Sequence, residues 1–83
     1  MEDLQPNVPQ SKYHPLTMQE YNEMADFILN LGAYLPDNKA SWVWATFNKL
    51  RDTNETQPCT CSSSAGHWRR AVDYIFNWVK ERQ

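Results

Sequence analysis

The chain of 83 residues has only two glycines, Gly32 and Gly66, so it holds no glycine-rich loop of the kind that binds phosphate. No apolar run is long enough to cross a bilayer, and the first residues lack the basic and apolar regions of a signal peptide. These absences predict a soluble protein that is not secreted and does not use a membrane. A chain of this length forms one domain at most.

Basic residues are scarce in the first part of the sequence. Residues 1–38 carry six of the ten acids but only Lys12 of the eight bases, whereas residues 39–83 carry four acids and seven bases. The acidic part disfavours binding to nucleic acid or to an anionic membrane. The two parts could pair within the chain or between copies, so a homo-oligomer is one expectation, and two solvated faces are the alternative.

Aromatic residues, in contrast, are abundant: four Trp, four Tyr and three Phe indicate a folded chain. Three prolines near the N-terminus exclude a helix there, so residues 1–16 are predicted to form an extended arm before a domain spanning residues 17–83. Val8, Tyr13 and Leu16 are the expected anchors of this arm, either on its own domain or on a neighbour.

Three stretches of the domain have the apolar spacing of helices. Thr17-Met18-Gln19-Glu20 is a capping-box pattern that predicts the start of the first helix, and Gly32 is its expected end. The second helix is predicted to open at Pro36-Asp37 and to end near Arg51, and the third to run from about Ala65 to Glu81. The predicted fold is therefore an all-α domain of three helices with an extended proline-rich N-terminal arm.

The polar loop before the third helix contains both cysteines, in the pattern Cys59-x-Cys61-x5-His67. Thiolates and imidazoles are the ligands that structural zinc prefers, and His14 could complete a set of four if the arm folds back. The alternative is a pair of partly buried thiols, with His67 making a local hydrogen bond. A disulfide is not expected, because the ring between Cys59 and Cys61 would be short and the predicted compartment is reducing.

The serines after the cysteines, Ser62, Ser63 and Ser64, are candidates to cap the third helix. Arg69 and Asp73 lie four positions apart on that helix and are expected to pair.

Several side chains are candidates for contact with a protein partner. Trp42 lies off the inner stripe of the second helix, and tryptophan is enriched at binding hot spots, although the arm could instead cover it. Tyr74 faces outward from the third helix. Arg69 and Arg70 follow Trp68 in a basic and aromatic cluster that could approach nucleic acid or remain solvated.

Catalysis has little support in the sequence. A cysteine nucleophile would need a base and a group to orient that base, and only His67 is near. We therefore expect a protein that is not an enzyme.

The residues from Ser41-Trp42-Val43-Trp44 through Pro58-Cys59-Thr60-Cys61 to His67-Trp68-Arg69 resemble small uncharacterised proteins of tailed bacteriophages. In those proteins a helix rich in Trp and Asn precedes a Cys-x-Cys or Cys-x-x-Cys loop and a C-terminal helix. The resemblance covers about half of the chain and leaves out the arm. It implies a phage-encoded accessory or virion component that acts by binding.

These observations predict a minor structural or adaptor protein of a phage, present in the host cytoplasm or the virion, that docks through its arm and exposed aromatic residues. The alternative is a small regulator that binds a host protein or nucleic acid through the third helix, with a zinc-stabilised corner.

Overall fold

The computed structural model describes residues 12–32 and 35–83, and in these ranges the chain forms three α-helices and no β-strand. The helices are α1 (Met18–Leu29), α2 (Ala40–Arg51) and α3 (Ala65–Glu81). Short 3-10 turns at Asp37–Lys39 and Ser62–Ser64 lead into α2 and α3. The all-α, three-helix prediction is confirmed.

The start of α1 is the predicted capping box. The Thr17 hydroxyl accepts a hydrogen bond from the Glu20 amide at 3.1 Å, and the Glu20 carboxylate accepts one from the Thr17 amide at 2.8 Å. Two amides that the first turn would otherwise leave unpaired are thereby satisfied. The end of α1 was predicted too late: the helix stops at Leu29 with Asn30 as its cap, so Leu31 and Gly32 belong to the connection to α2.

The end of α2 needs a left-handed residue. Asp52 has φ 54° and ψ 46°, and its amide reaches back to the carbonyls of Asn48 and Lys49. Aspartate is one of the few residues besides glycine that enters this conformation readily. The chain leaves α2 at this point and begins the long polar loop, as the sequence predicts.

The third helix is central, because it packs against both α1 and α2. All three helices turn apolar faces toward one core, and the sequence periodicity locates most of its members. The buried apolar side chains are Leu16, Tyr21, Met24, Ala25, Ile28, Ala40, Val43, Trp44, Phe47, Trp68, Ala71, Ile75, Trp78 and Val79.

The last residues of the predicted arm, 12–16, form a turn held on the domain. The Leu16 amide donates to the Tyr13 carbonyl at 2.8 Å, and the Tyr13 ring stacks on Tyr21 with centroids 4.1 Å apart. At the far end of the chain, the Arg82 guanidinium lies over Trp78 and donates from Nε to the Lys12 carbonyl at 2.7 Å. This turn is therefore fixed at the C-terminal end of α3.

Candidate functional site

Two tryptophans fix the loop between α2 and α3. Trp44 and Trp68 meet edge to face in the core, with ring centroids 5.2 Å apart. The Trp44 indole N–H donates to the Glu55 carbonyl at 2.9 Å, and the Trp68 indole N–H donates to the Cys59 carbonyl at 2.7 Å. Both rings gain apolar burial while their single polar atom is satisfied by the loop backbone. The position of the cysteine segment is thus set by the core.

Asn48 holds the first part of the same loop from the last turns of α2. Its amide nitrogen donates to the Glu55 carbonyl at 3.0 Å, and its amide oxygen accepts from the Glu55 amide at 3.1 Å and from the Thr53 hydroxyl at 2.9 Å. This one side-chain amide therefore pairs with both the N–H and the carbonyl of the Glu55 backbone. In a regular helix or strand, other backbone groups would supply these two hydrogen bonds.

The Glu55 carboxylate then joins the loop to both flanking helices. It pairs with Arg51 of α2 and, at 3.3 Å, with Arg70 of α3. The hydrogen bond from Arg51, with the positive charges of Arg51 and Arg70, lowers the pKa of Glu55 below its ordinary value. In α1, the Thr17 amide and then the Lys49 ammonium lower the pKa of Glu20 in the same way.

These two lowered pKa values predict how stability depends on pH. A carboxyl group whose pKa is lower in the folded chain contributes stability above its unfolded pKa, near 4.5, and loses it as the pH falls through the folded value. We expect the free energy of unfolding to fall from about pH 5 to about pH 3. Urea midpoints across this range would measure the decrease.

The matched control for this pH dependence is the double variant Glu20→Gln/Glu55→Gln. Glutamine keeps the capping-box geometry but does not titrate. The variant should lose less stability over the same pH interval than the natural chain. Equal losses in the two proteins would show that neither carboxylate contributes to the pH dependence.

The cysteines are joined to each other, which corrects the expectation of free thiols. Cys59 and Cys61 form a disulfide, and their Cα atoms are 5.4 Å apart. That separation lies inside the range that disulfides ordinarily span, so the single intervening residue does not prevent the bond. The prediction that no disulfide forms, which depended on the short ring and on a reducing compartment, was wrong for this structure.

Of the three serines that were predicted to cap α3, Ser63 and Ser64 contact the sulfur atoms instead. Within residues 12–32 and 35–83, no side-chain hydrogen bond caps the start of α3. The Ser63 hydroxyl lies 3.0 Å from Cys61 Sγ, and the Ser64 hydroxyl lies 3.3 Å from Cys59 Sγ. Because a disulfide sulfur carries no proton, the hydroxyl is the donor in each contact.

The predicted zinc ligands Cys59, Cys61, His67 and His14 are not brought together. The sulfurs are bonded to each other rather than present as the thiolates that zinc binds. His67 is in the first turn of α3, whereas the turn containing His14 is held against its last turns, about 15–20 Å away along the helix axis. In the described ranges no three His, Cys, Asp or Glu side chains could hold a metal ion.

Beside the disulfide lies an open groove of about 430 Å³ between the start of α3 and the connection from α1 to α2. Its apolar lining comes from Leu31 and Leu35 of the connection and from Trp68 and Val72 of α3. Thr60 and Cys61 form part of its wall, so the disulfide faces this groove through Cys61.

Three charged side chains line the rim of the groove: Asp37, Asp73 and Arg69. The predicted pair between Arg69 and Asp73 is not among the ion pairs of the described residues. Two acids against one base leave the rim with a net negative charge, and an exposed carboxylate there is available to a cation on a ligand.

Among the other residues predicted to contact a partner, Trp42 is half-buried. Its ring meets Phe27 of α1 edge to face at 5.2 Å, and the Lys39 ammonium lies 5.3 Å from its centroid. Leu16, the last residue of the predicted arm, lines a small cleft with it. Trp42 is therefore partly covered by α1 and keeps part of its ring at the surface.

Tyr74 and Arg70 lie on the outer side of α3. Tyr74 is 40% exposed and rests edge to face on Phe47, and Arg70 lies over the same Phe47 ring while pairing with Glu55. Tyr13 lies against Tyr21. Val8 is outside the described residues. Of the predicted partner residues that the structure describes, Arg69 alone lines the groove.

The groove was missed in the sequence because its lining is split between distant segments. Leu31 and Leu35 lie between α1 and α2, whereas Val72 lies within α3, so no local pattern places the three side chains together. One feature of the sequence could have indicated the groove. Leu31 and Leu35 lie on either side of Gly32, just before Pro36, where the end of a helix does not by itself require apolar side chains.

No family model matches the sequence, and neither a curated protein nor a solved structure matches the chain. Among the described residues, none of the helices has the length and apolar character needed to span a membrane.

Proposed function

We propose that the chain is a non-enzymatic protein-interaction component whose docking site is the groove between α3 and the α1–α2 connection. The observation that carries this proposal is the groove itself. It has an apolar lining with charged side chains at its rim, and it lies beside a hydrophobic core whose side chains are already buried. Its volume is within the range of ligand sites in proteins and suits a few side chains rather than a whole helix.

The occupant that fits best is a short peptide segment of another protein with two apolar side chains and one cationic side chain. Leu31, Leu35 and Val72 would receive the apolar groups. The excess of acid at the rim, Asp37 and Asp73 against Arg69, favours lysine or arginine beside them. This placement differs from the predicted docking through the arm and exposed aromatic residues.

The resemblance to tailed-phage proteins supports a further proposal, that the chain is a minor structural or adaptor component of a virion. The matching residues include the Cys-x-Cys loop and the start of α3, which border the groove. A disulfide fits the virion better than the host cytoplasm, because cytosolic thiols are kept reduced whereas virion surfaces hold disulfides.

The alternative of a regulator acting through α3 has less support in the geometry. Arg70 already pairs with Glu55, which leaves Arg69 as the one arginine of the predicted cluster on the groove rim. Nucleic-acid binding depends on several cations that neutralise phosphates together.

A peptide-display selection on the folded, oxidised chain tests the docking site. The best enriched peptide is synthesised and its affinity measured by fluorescence anisotropy. We expect enrichment of two apolar residues near one basic residue, and a Kd weakened at least about tenfold by Val72→Arg, which places a cation in the groove.

The matched control is Phe76→Arg, which adds the same charge to the same helix at an exposed position that does not line the groove. This variant should bind the peptide like the natural chain. The proposal is wrong if no peptide is enriched, or if the enriched peptide binds Val72→Arg as tightly as it binds the natural chain.

A further inference from the structure

The disulfide and the groove share a wall. Cys61 and Thr60 line the groove, whereas Cys59 does not, and both cysteines are exposed. The two sulfurs therefore differ in access: a ligand seated in the groove would reach Cys61, with Cys59 on the other side of the S–S bond. Exposed disulfides are the ones open to attack by thiolates.

The loop also holds Cys59 in place independently of the S–S bond. The Cys59 carbonyl accepts the Trp68 indole N–H at 2.7 Å, and the Ser64 hydroxyl lies 3.3 Å from Cys59 Sγ. A hydroxyl that donates to sulfur stabilises a thiolate more than a neutral disulfide, because the hydrogen bond is stronger to the charged atom. Both sulfurs have such a hydroxyl, because Ser63 lies 3.0 Å from Cys61 Sγ. Access from the groove, which reaches Cys61 only, is therefore what makes Cys59 the leaving thiolate of an exchange reaction.

We propose that the groove and the disulfide form one thiol-capture site, which binds an apolar peptide segment bearing a cysteine and links it reversibly to Cys61. The inference rests on the proposed docking function and adds the chemical class of the partner: a segment with a cysteine among apolar residues and a nearby cation.

The exchange balances without an oxidant or reductant. The partner's thiolate attacks Cys61 Sγ, a new S–S bond forms between the partner and Cys61, and the Cys59–Cys61 bond breaks. The electron pair of the broken bond stays on Cys59 Sγ, which takes up a proton from solvent. Attack by the Cys59 thiolate on Cys61 reverses every step and releases the partner with its thiol restored.

Retention of Cys59 near the new bond makes this capture reversible. The hydrogen bond from the buried Trp68 indole fixes the Cys59 backbone at its carbonyl, so the thiolate remains close to Cys61 after it leaves. A tethered thiolate reacts as if it were present at high local concentration. The link should therefore persist only while the groove holds the peptide.

The test uses the oxidised full chain and the reduced peptide acetyl-Lys-Leu-Cys-Phe-amide, with glutathione as the thiol that lacks apolar side chains. Each reaction is stopped with acid, and the adduct is quantified and mapped by mass spectrometry. The rate of each thiol with hydroxyethyl disulfide corrects for its intrinsic reactivity. We expect the peptide to react at least about tenfold faster than glutathione and the adduct to map to Cys61.

Two variants separate the parts of the site. Val72→Arg should remove the advantage of the peptide over glutathione, measured as the ratio of the two rates on the same variant. Ser64→Ala should slow both thiols by about threefold, since it removes the hydroxyl from the leaving sulfur but not from the groove. An adduct predominantly on Cys59, or a peptide that reacts no faster than glutathione, would overturn the proposal.

A peptide with serine in place of cysteine separates failure of the exchange from failure of the docking site. If it shifts the NMR signals of Leu31, Leu35 and Val72 but the cysteine peptide is not captured, thiol capture is wrong and the docking function remains. If it does not bind and the cysteine peptide has no advantage over glutathione, both proposals fail.

Discussion

Replacing Trp68 with alanine is expected to cost about 3–5 kcal/mol of folding free energy, the range for truncating a buried tryptophan. The ring is buried, meets Trp44 edge to face, and anchors the cysteine loop through its indole N–H. A domain of this size has a net stability of only about 3–5 kcal/mol. The variant should therefore be largely unfolded at 25 °C, as measured by far-UV circular dichroism during urea titration.

Trp68→Phe separates packing from anchoring. Phenylalanine keeps most of the apolar volume but leaves the Cys59 carbonyl without its donor, so a smaller loss of about 1–3 kcal/mol is expected. Trp42→Ala is the matched truncation at a half-buried site and should cost less than Trp68→Ala. If the two alanine variants unfold at the same urea concentration, the claim that Trp68 is central to the core is wrong.

The helices could be predicted because their signals are local. The capping box Thr17–Glu20 acts across three residues, and the apolar period of α3 extends from Trp68 to Val79, so neighbouring positions decide both. The bounds predicted for α3 match the structure. The end of α1 was predicted too late, because Leu31 continues the apolar period although the helix has already stopped.

The site could not be predicted in the same way, because it depends on contacts between residues far apart in the chain. The indole N–H of Trp44 is satisfied eleven residues away, at Glu55, and the groove joins Leu31 to Val72. Neither of these contacts produces a periodic pattern in the sequence. The cysteine chemistry was a choice between metal, thiols and disulfide, and spacing alone could not make that choice.

His14 shows why the zinc hypothesis was attractive and why the fold opposes it. Only two histidines exist, so a four-ligand site required both. The Arg82 bond to the Lys12 carbonyl and the stacking of Tyr13 on Tyr21 instead hold this segment at the C-terminal end of α3. The described part of the arm, residues 12–16, therefore lies against the domain at the end opposite the cysteines.

The second large effect on stability is expected when aspartate is introduced at one of two neighbouring positions of α3. Ile75 is fully buried, at 0% exposure, whereas Phe76 is 38% exposed. Ile75→Asp would place a carboxylate in the centre of the core, where an unpaired charge costs several kcal/mol and exceeds the stability of the domain. We expect this variant to lose its cooperative thermal transition.

Phe76→Asp introduces the same residue one position further along, on the outer face of α3, and should change the free energy of unfolding by no more than about 1 kcal/mol. The contrast tests the rotational setting of α3 rather than its mere presence, because a helix rotated by one residue, about 100°, would bury Phe76 in place of Ile75. That setting also directs Val72 toward the groove and Tyr74 away from it. If Phe76→Asp unfolds the chain and Ile75→Asp does not, the core, the groove and the capture site all lose their geometric basis together.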